Sequence, residues 1–144
     1  MKKLLIILVL GFAFYGLYVR NPSFIQSVTE QSTASDQLLT RAYENRQSNT
    51  HVGGSGVVVK ILPDDLHGSR HQRFILRLSS GQTILISHNI DLAHRVDGLR
   101  EGDTVEFSGE YEWNSEGGVV HWTHRDPDGR HKGGWLKHNG SIYQ

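Results

Sequence analysis

The chain of 144 residues contains no cysteine. Disulfides cannot hold it together, a lipid-modified amino-terminal cysteine is excluded, and stability must come from a packed core. Charge of one sign is also missing, since fifteen Lys and Arg face fifteen Asp and Glu. After the first 20 residues the balance is twelve against fifteen, a net of −3 with His neutral. Nucleic acid held by bulk charge normally needs a basic surplus. A nucleic-acid partner would have to use a local basic patch and gains no support from net charge. There is no internal repeat, no Gly-rich phosphate loop after a strand, no Ser, Cys or Thr in a nucleophile elbow, and no complete closed-spacing metal motif. These absences weigh against an enzyme.

The chain has one long uncharged run, Leu4 to Val19, between Lys2-Lys3 and Arg20-Asn21-Pro22. It has the layout of a secretory signal peptide, and it is marginally short for a bilayer-crossing helix. Tyr15 and Tyr18 suit the interface, Arg20 can snorkel, and Gly11-Phe12-Ala13 is a poor cleavage site. An uncleaved anchor is therefore preferred. Its lysines would stay in the cytoplasm and the body of the protein in the periplasm, single-pass at the bacterial inner membrane. The alternative is release to the periplasm after signal cleavage.

Four segments follow: the anchor or signal peptide at 1–20, a polar linker at 21–50, a β-rich domain at 51–126, and a tail rich in His, Gly and Trp at 127–144 that packs on it. Within the linker, Ser35 or Asp36 can cap a helix over about 36–47. Leu38, Leu39, Ala42 and Tyr43 would share its face, either packed on the domain or as a frayed linker helix. From Gly53 the period becomes two, with strands expected over Gly56 to Leu62, Arg70 to Leu78, Gln82 to Ser87, Thr104 to Tyr111 and Val119 to Thr123. Asn89 and Asp91 read as caps of a short helix over Leu92 to Val96, with His88 in a network beneath it. The fold class is mainly all-β: an OB-like, five-stranded, partly open barrel with a short helix between its third and fourth strands. Gly56 and Gly109 fall where such a barrel bends. Trp122 is expected in the core.

Two clusters carry the chemistry. His121, His124, Asp126 and His131 are metal-ligand types that could share an ion if the last strand ends near Thr123. The metal would be zinc or manganese, and no cofactor is certain. The alternative is a histidine-rich loop that holds itself together by hydrogen bonds. In the second cluster, Arg70, His71 and Arg73 open the second strand, and Trp113 lies in the loop before the fifth. In an OB barrel those two loops flank a ligand face, where Arg and His beside an exposed Trp suit an anion with a flat group. Arg130 joins this ligand set. The competing reading is an edge strand protected by charge. Glycines 129, 133, 134 and 140 leave the tail loose unless something ties it down.

The words Arg70-His71-Gln72-Arg73-Phe74, His88-Asn89-Ile90-Asp91-Leu92, Gly102-Asp103, Gly109-Glu110-Tyr111-Glu112-Trp113-Asn114 and His121-Trp122-Thr123-His124, with the tail to Tyr143-Gln144, resemble a family of short exported bacterial proteins. It is known only as domain-of-unknown-function family 3465. The resemblance covers about residues 38–144 and implies export and one small domain, but no reaction.

The function expected is a membrane-tethered periplasmic module, held at the inner membrane through residues 4–19. Its His/Arg/Asp-rich site would take an unknown anionic ligand, an envelope component or a metal. The alternatives are a metal-dependent phosphodiesterase or nuclease, and a structural partner of an envelope protein.

Overall fold

The computed structural model describes residues 34–144; the uncharged run at 4–19 lies outside them. Residues 34–144 form one compact unit. It is mainly β, with one helix, α1, at 34–44. Seven strands follow: β1 (Thr50–Asp65), β2 (His71–Arg77), β3 (Thr83–Asn89), β4 (Thr104–Glu112), β5 (Val119–His121), β6 (Trp135–His138) and β7 (Ser141–Tyr143). No helix among the described residues is long and apolar enough to cross a membrane.

The strand order is β1-β2-β3-β5-β4-β6-β7, and β1 also pairs with β4, so the first five strands close into a ring. All ring pairings are antiparallel except β3 with β5. β1 is more than twice the expected length because it serves two partners. Thr50 to Val57 runs along β4, and Val57 to Asp65 runs along β2 through two register shifts. Gly56 sits at the change of partner. A Cβ there would stand 3.0 Å from both the Arg77 carbonyl oxygen and the Leu76 Cβ, so the close crossing of β1 over β2 needs glycine.

Period-two alternation turns Val52, Val58, Phe74, Leu76, Ile84, Ile86, Val105, Phe107, Tyr111 and Val120 into the ring, where each is almost fully buried. Each such side chain contributes about 1.5–3 kcal/mol. Helix α1 packs on this core rather than fraying, with Leu39 and Ala42 buried. Asp36 binds the Ser79 hydroxyl and the Ser80 N–H in the β2–β3 turn. At the other end of the helix, the Tyr43 carbonyl accepts from Trp113 Nε1 at 3.0 Å.

The structure corrects three expectations. No helix forms over Leu92 to Val96; the β3–β4 connection is a series of turns. Its backbone is satisfied by buried side chains instead. Gln72 bonds both Val96 N–H (2.8 Å) and Val96 C=O (3.1 Å), and His88 Nε2 bonds the His94 carbonyl. Asn89 accepts from Asp91 N–H, closing a local turn rather than capping a helix. Secondly, the sheet has two strands beyond the expected five, both in the tail: β6 pairs with β4 at Glu106 to Ser108, and β7 pairs with β6. Thirdly, β5 stops at His121, because Trp122 takes a left-handed φ of 52°. Alternation breaks there. Trp122 is only half-buried, while Thr123 and His124 turn inward.

Candidate functional site

The strand directions put the β1–β2 loop, the β3–β4 connection and the exit of β5 at one end of the ring. α1, the β2–β3 turn and the β4–β5 loop lie at the other. The candidate site opens at the first end. It is a surface cleft of about 570 Å³ lined by Leu92, Trp122, Asp126, Pro127, Asp128, Arg130 and His131. That volume suits a small ligand.

Asp126 builds the cleft. Its carboxylate accepts from the N–H groups of Asp128 (3.0 Å), Arg130 (2.7 Å) and His131 (2.7 Å). The bond from His131 comes first in holding this carboxyl below the usual range. The loop closes where Gly134 N–H meets the His124 carbonyl at 2.9 Å. A Cβ on Gly134 would collide with the Ser108 and Trp122 carbonyl oxygens. The tail is therefore tied by a carboxylate and a close glycine contact. His131 stacks on Trp122 with centroids 4.1 Å apart and planes at 14°. His124 packs against the same indole at 5.3 Å. Arg130 pairs with Asp128, and both side chains are largely exposed. Such an exposed pair is held by about 0–1 kcal/mol and is easily exchanged for another anion.

Beneath this end lies a buried network. His88 is fully buried, with Nδ1 2.8 Å from Thr123 Oγ1 and Nε2 3.0 Å from the His94 carbonyl. A carbonyl only accepts, so Nε2 carries the proton and Nδ1 receives the threonine hydroxyl. Desolvation brings the His88 pKa down to about 4. Buried His138 lies 2.9 Å from Asp103, whose carboxyl is lowered first by the Arg100 N–H and then by His138.

The metal set expected from sequence does not assemble. His124 Nδ1 lies 2.7 Å from the Arg125 carbonyl, Asp126 is engaged by backbone N–H groups, and His131 is stacked. His121 instead faces Glu110 and Glu112 on the outside of the ring; among the described residues they form the one group of three whose metal-ligand atoms come together. The ligand set also divides. Arg70 is bound to Asp91 at 2.6 Å, His71 Nδ1 lies 2.8 Å from the Ser69 carbonyl, and Arg73 gives Nε and a terminal N–H to the Pro63 carbonyl. Trp113 is at the opposite end, bonded to α1 and covered by Arg46 at 5.3 Å. Only Arg130 of that set reaches the cleft. Sequence reading did not single out Glu110 and Glu112 as ligands. The alternation of Glu110-Tyr111-Glu112 put both carboxylates on one face, but only the β4–β5 register sets them against His121.

Ring, tail hairpin and cleft together define a small, mainly β protein built around a closed sheet. Residues 23–144 match the model of the family described as protein of unknown function (DUF3465). The chain belongs to that family. No curated protein matches it.

Proposed function

We propose that the protein is a binding module of the bacterial envelope: an OB-like barrel, tethered at the inner membrane by residues 4–19 and facing the periplasm, whose tail cleft takes a small anionic ligand. The ring order β1-β2-β3-β5-β4-β1 with parallel β3 and β5 supports the OB-like reading. The uncharged run behind Lys2-Lys3 supports the tether. The observation that carries the ligand reading is the left-handed Trp122. A bulky aromatic at φ 52° is strained by about 1–3 kcal/mol, and here the strain holds His131 stacked beside Arg130 at the cleft wall. An anion would replace Asp128 on the guanidinium and accept a second hydrogen bond from the His131 ring.

Bis(4-nitrophenyl) phosphate is an informative probe, since it joins an anion to a flat ring and reports its own hydrolysis. It should bind without releasing nitrophenolate. Arg130→Ala should weaken binding about tenfold, the equivalent of ~1.4 kcal/mol for a charge-assisted bond. Binding unaffected by Arg130→Ala and His131→Ala would remove the cleft, and nitrophenolate release would favour a phosphodiesterase.

A further inference from the structure

A second polar site stands apart from the cleft, on the outer face of the β4–β5 ladder. Glu110 is directly paired with His121 across the two strands, and Glu112 is the next outward-facing residue of β4, with buried Tyr111 between them. His121 Nε2 lies 3.7 Å from Glu110 Oε1 and 3.8 Å from Glu112 Oε1. All three ligand atoms fall within 4.8 Å of one another.

The independent observation is the state of that nitrogen. The His121 side chain is 35% exposed, yet its Nε2 is shut off from water and has no hydrogen-bond partner. Among the described residues it is the one buried side-chain polar atom left in this condition. An unmet buried polar atom of this kind destabilises the fold that holds it. A proton on Nε2 relieves it poorly, because 3.7 and 3.8 Å are too long for N–H···O bonds. A metal ion relieves it directly. With bonds of about 2.0–2.2 Å, two ligands of a tetrahedral ion stand roughly 3.3–3.6 Å apart. The two His–Glu distances need to shorten by only a few tenths of an ångström, and the carboxylate oxygens, within 4.8 Å of each other, can close the rest by side-chain rotation.

We propose that Glu110, Glu112 and His121 bind one divalent transition-metal ion, zinc in the first instance. Two carboxylates balance the charge of the ion. One imidazole nitrogen with two carboxylate oxygens suits zinc or manganese, whereas calcium and magnesium favour all-oxygen sets. Three protein ligands leave a position open to water or to a ligand atom. His51, opposite Glu110 on β1, keeps its Nε2 3.0 Å from Ser108 Oγ and is not counted as a ligand.

The test is zinc titration of the full chain, purified without a polyhistidine tag, followed by metal analysis after desalting. About one zinc per chain is expected. His121→Ala and Glu112→Gln should each weaken binding at least about tenfold. The Glu112 change is isosteric at a half-buried position on the outer face and guards against misfolding, which circular dichroism checks. His131→Ala should leave zinc affinity unchanged, so failure here is distinct from failure of the cleft. No zinc bound at 100-micromolar metal (on the order of the weakest useful site) would overturn the proposal. So would affinity undiminished by both His121→Ala and Glu112→Gln, or loss confined to His131→Ala.

Discussion

His88 and His121 both hide ring nitrogens from water, and the molecule treats them in opposite ways. Inside the ring, His88 has both nitrogens bonded, one to the Thr123 hydroxyl and one to the His94 carbonyl. On the outer face, His121 has a closed-off Nε2 with nothing bonded to it and two carboxylates just beyond reach. The first arrangement is complete without any visitor: it fixes the β3–β4 connection over the end of the barrel and presses the imidazole into its neutral form. The second is incomplete until something enters. Burial alone therefore does not mark a working histidine; an unmet bond does.

The largest expected effect tests the complete side of this contrast. His88 has a folded pKa of about 4 against an ordinary 6.5. Between those values the unfolded chain binds the proton and the folded one does not, so acid favours unfolding. Its contribution is fully present above pH 6.5, declines as the pH falls towards 4, and levels off below that. The loss should approach about 3 kcal/mol, read as a falling denaturant midpoint. Burial, ahead of Lys132, lowers the His51 pKa too and adds in the same direction. In His88→Gln the decline over this window should be much shallower; an unchanged slope would break the assignment.

A smaller effect of opposite sign tests the incomplete side. His121→Leu removes the unmet nitrogen and keeps the bulk of the ring, so the metal-free protein should gain up to about 1 kcal/mol. A lower melting temperature in His121→Leu under chelation would mean that the imidazole already has a partner.

Much of the ring was legible because its signal is local. Alternation placed β2, β3 and β4 within a residue or two, and Gly56 and Gly109 stood where backbones crowd; a Cβ on Gly109 would strike the His121 carbonyl. What depended on distant partners was not legible. The first strand was expected to start at Gly56; Gly53-Gly54-Ser55 carries no β-branched or aromatic side chain and becomes strand by pairing with Ser108, Phe107 and Glu106. The four residues of β6 lie among glycines and exist as a strand because β4 has a free edge beside them. Asn89 and Asp91 imitate helix caps, yet their side chains close a turn and hold Arg70. The site followed the same rule. Asp126, Arg130 and His131 gather because five residues of loop suffice to gather them. Glu110 and Glu112 meet His121 only through register, and Arg70 and Arg73 were spent on Asp91 and the Pro63 carbonyl, which no spacing reveals.

The contrast between the two histidines is read most directly from imidazole nitrogen and carbon shifts of the labelled chain, followed through an acid titration and then through zinc addition at pH 7. His88 should stay a single neutral tautomer with its proton on Nε2 to about pH 5 and ignore the metal, while the His121 Nε2 signal should move with one equivalent of zinc. A His88 ring that titrates near its ordinary value, or a His121 ring that does not respond to zinc, would contradict the account.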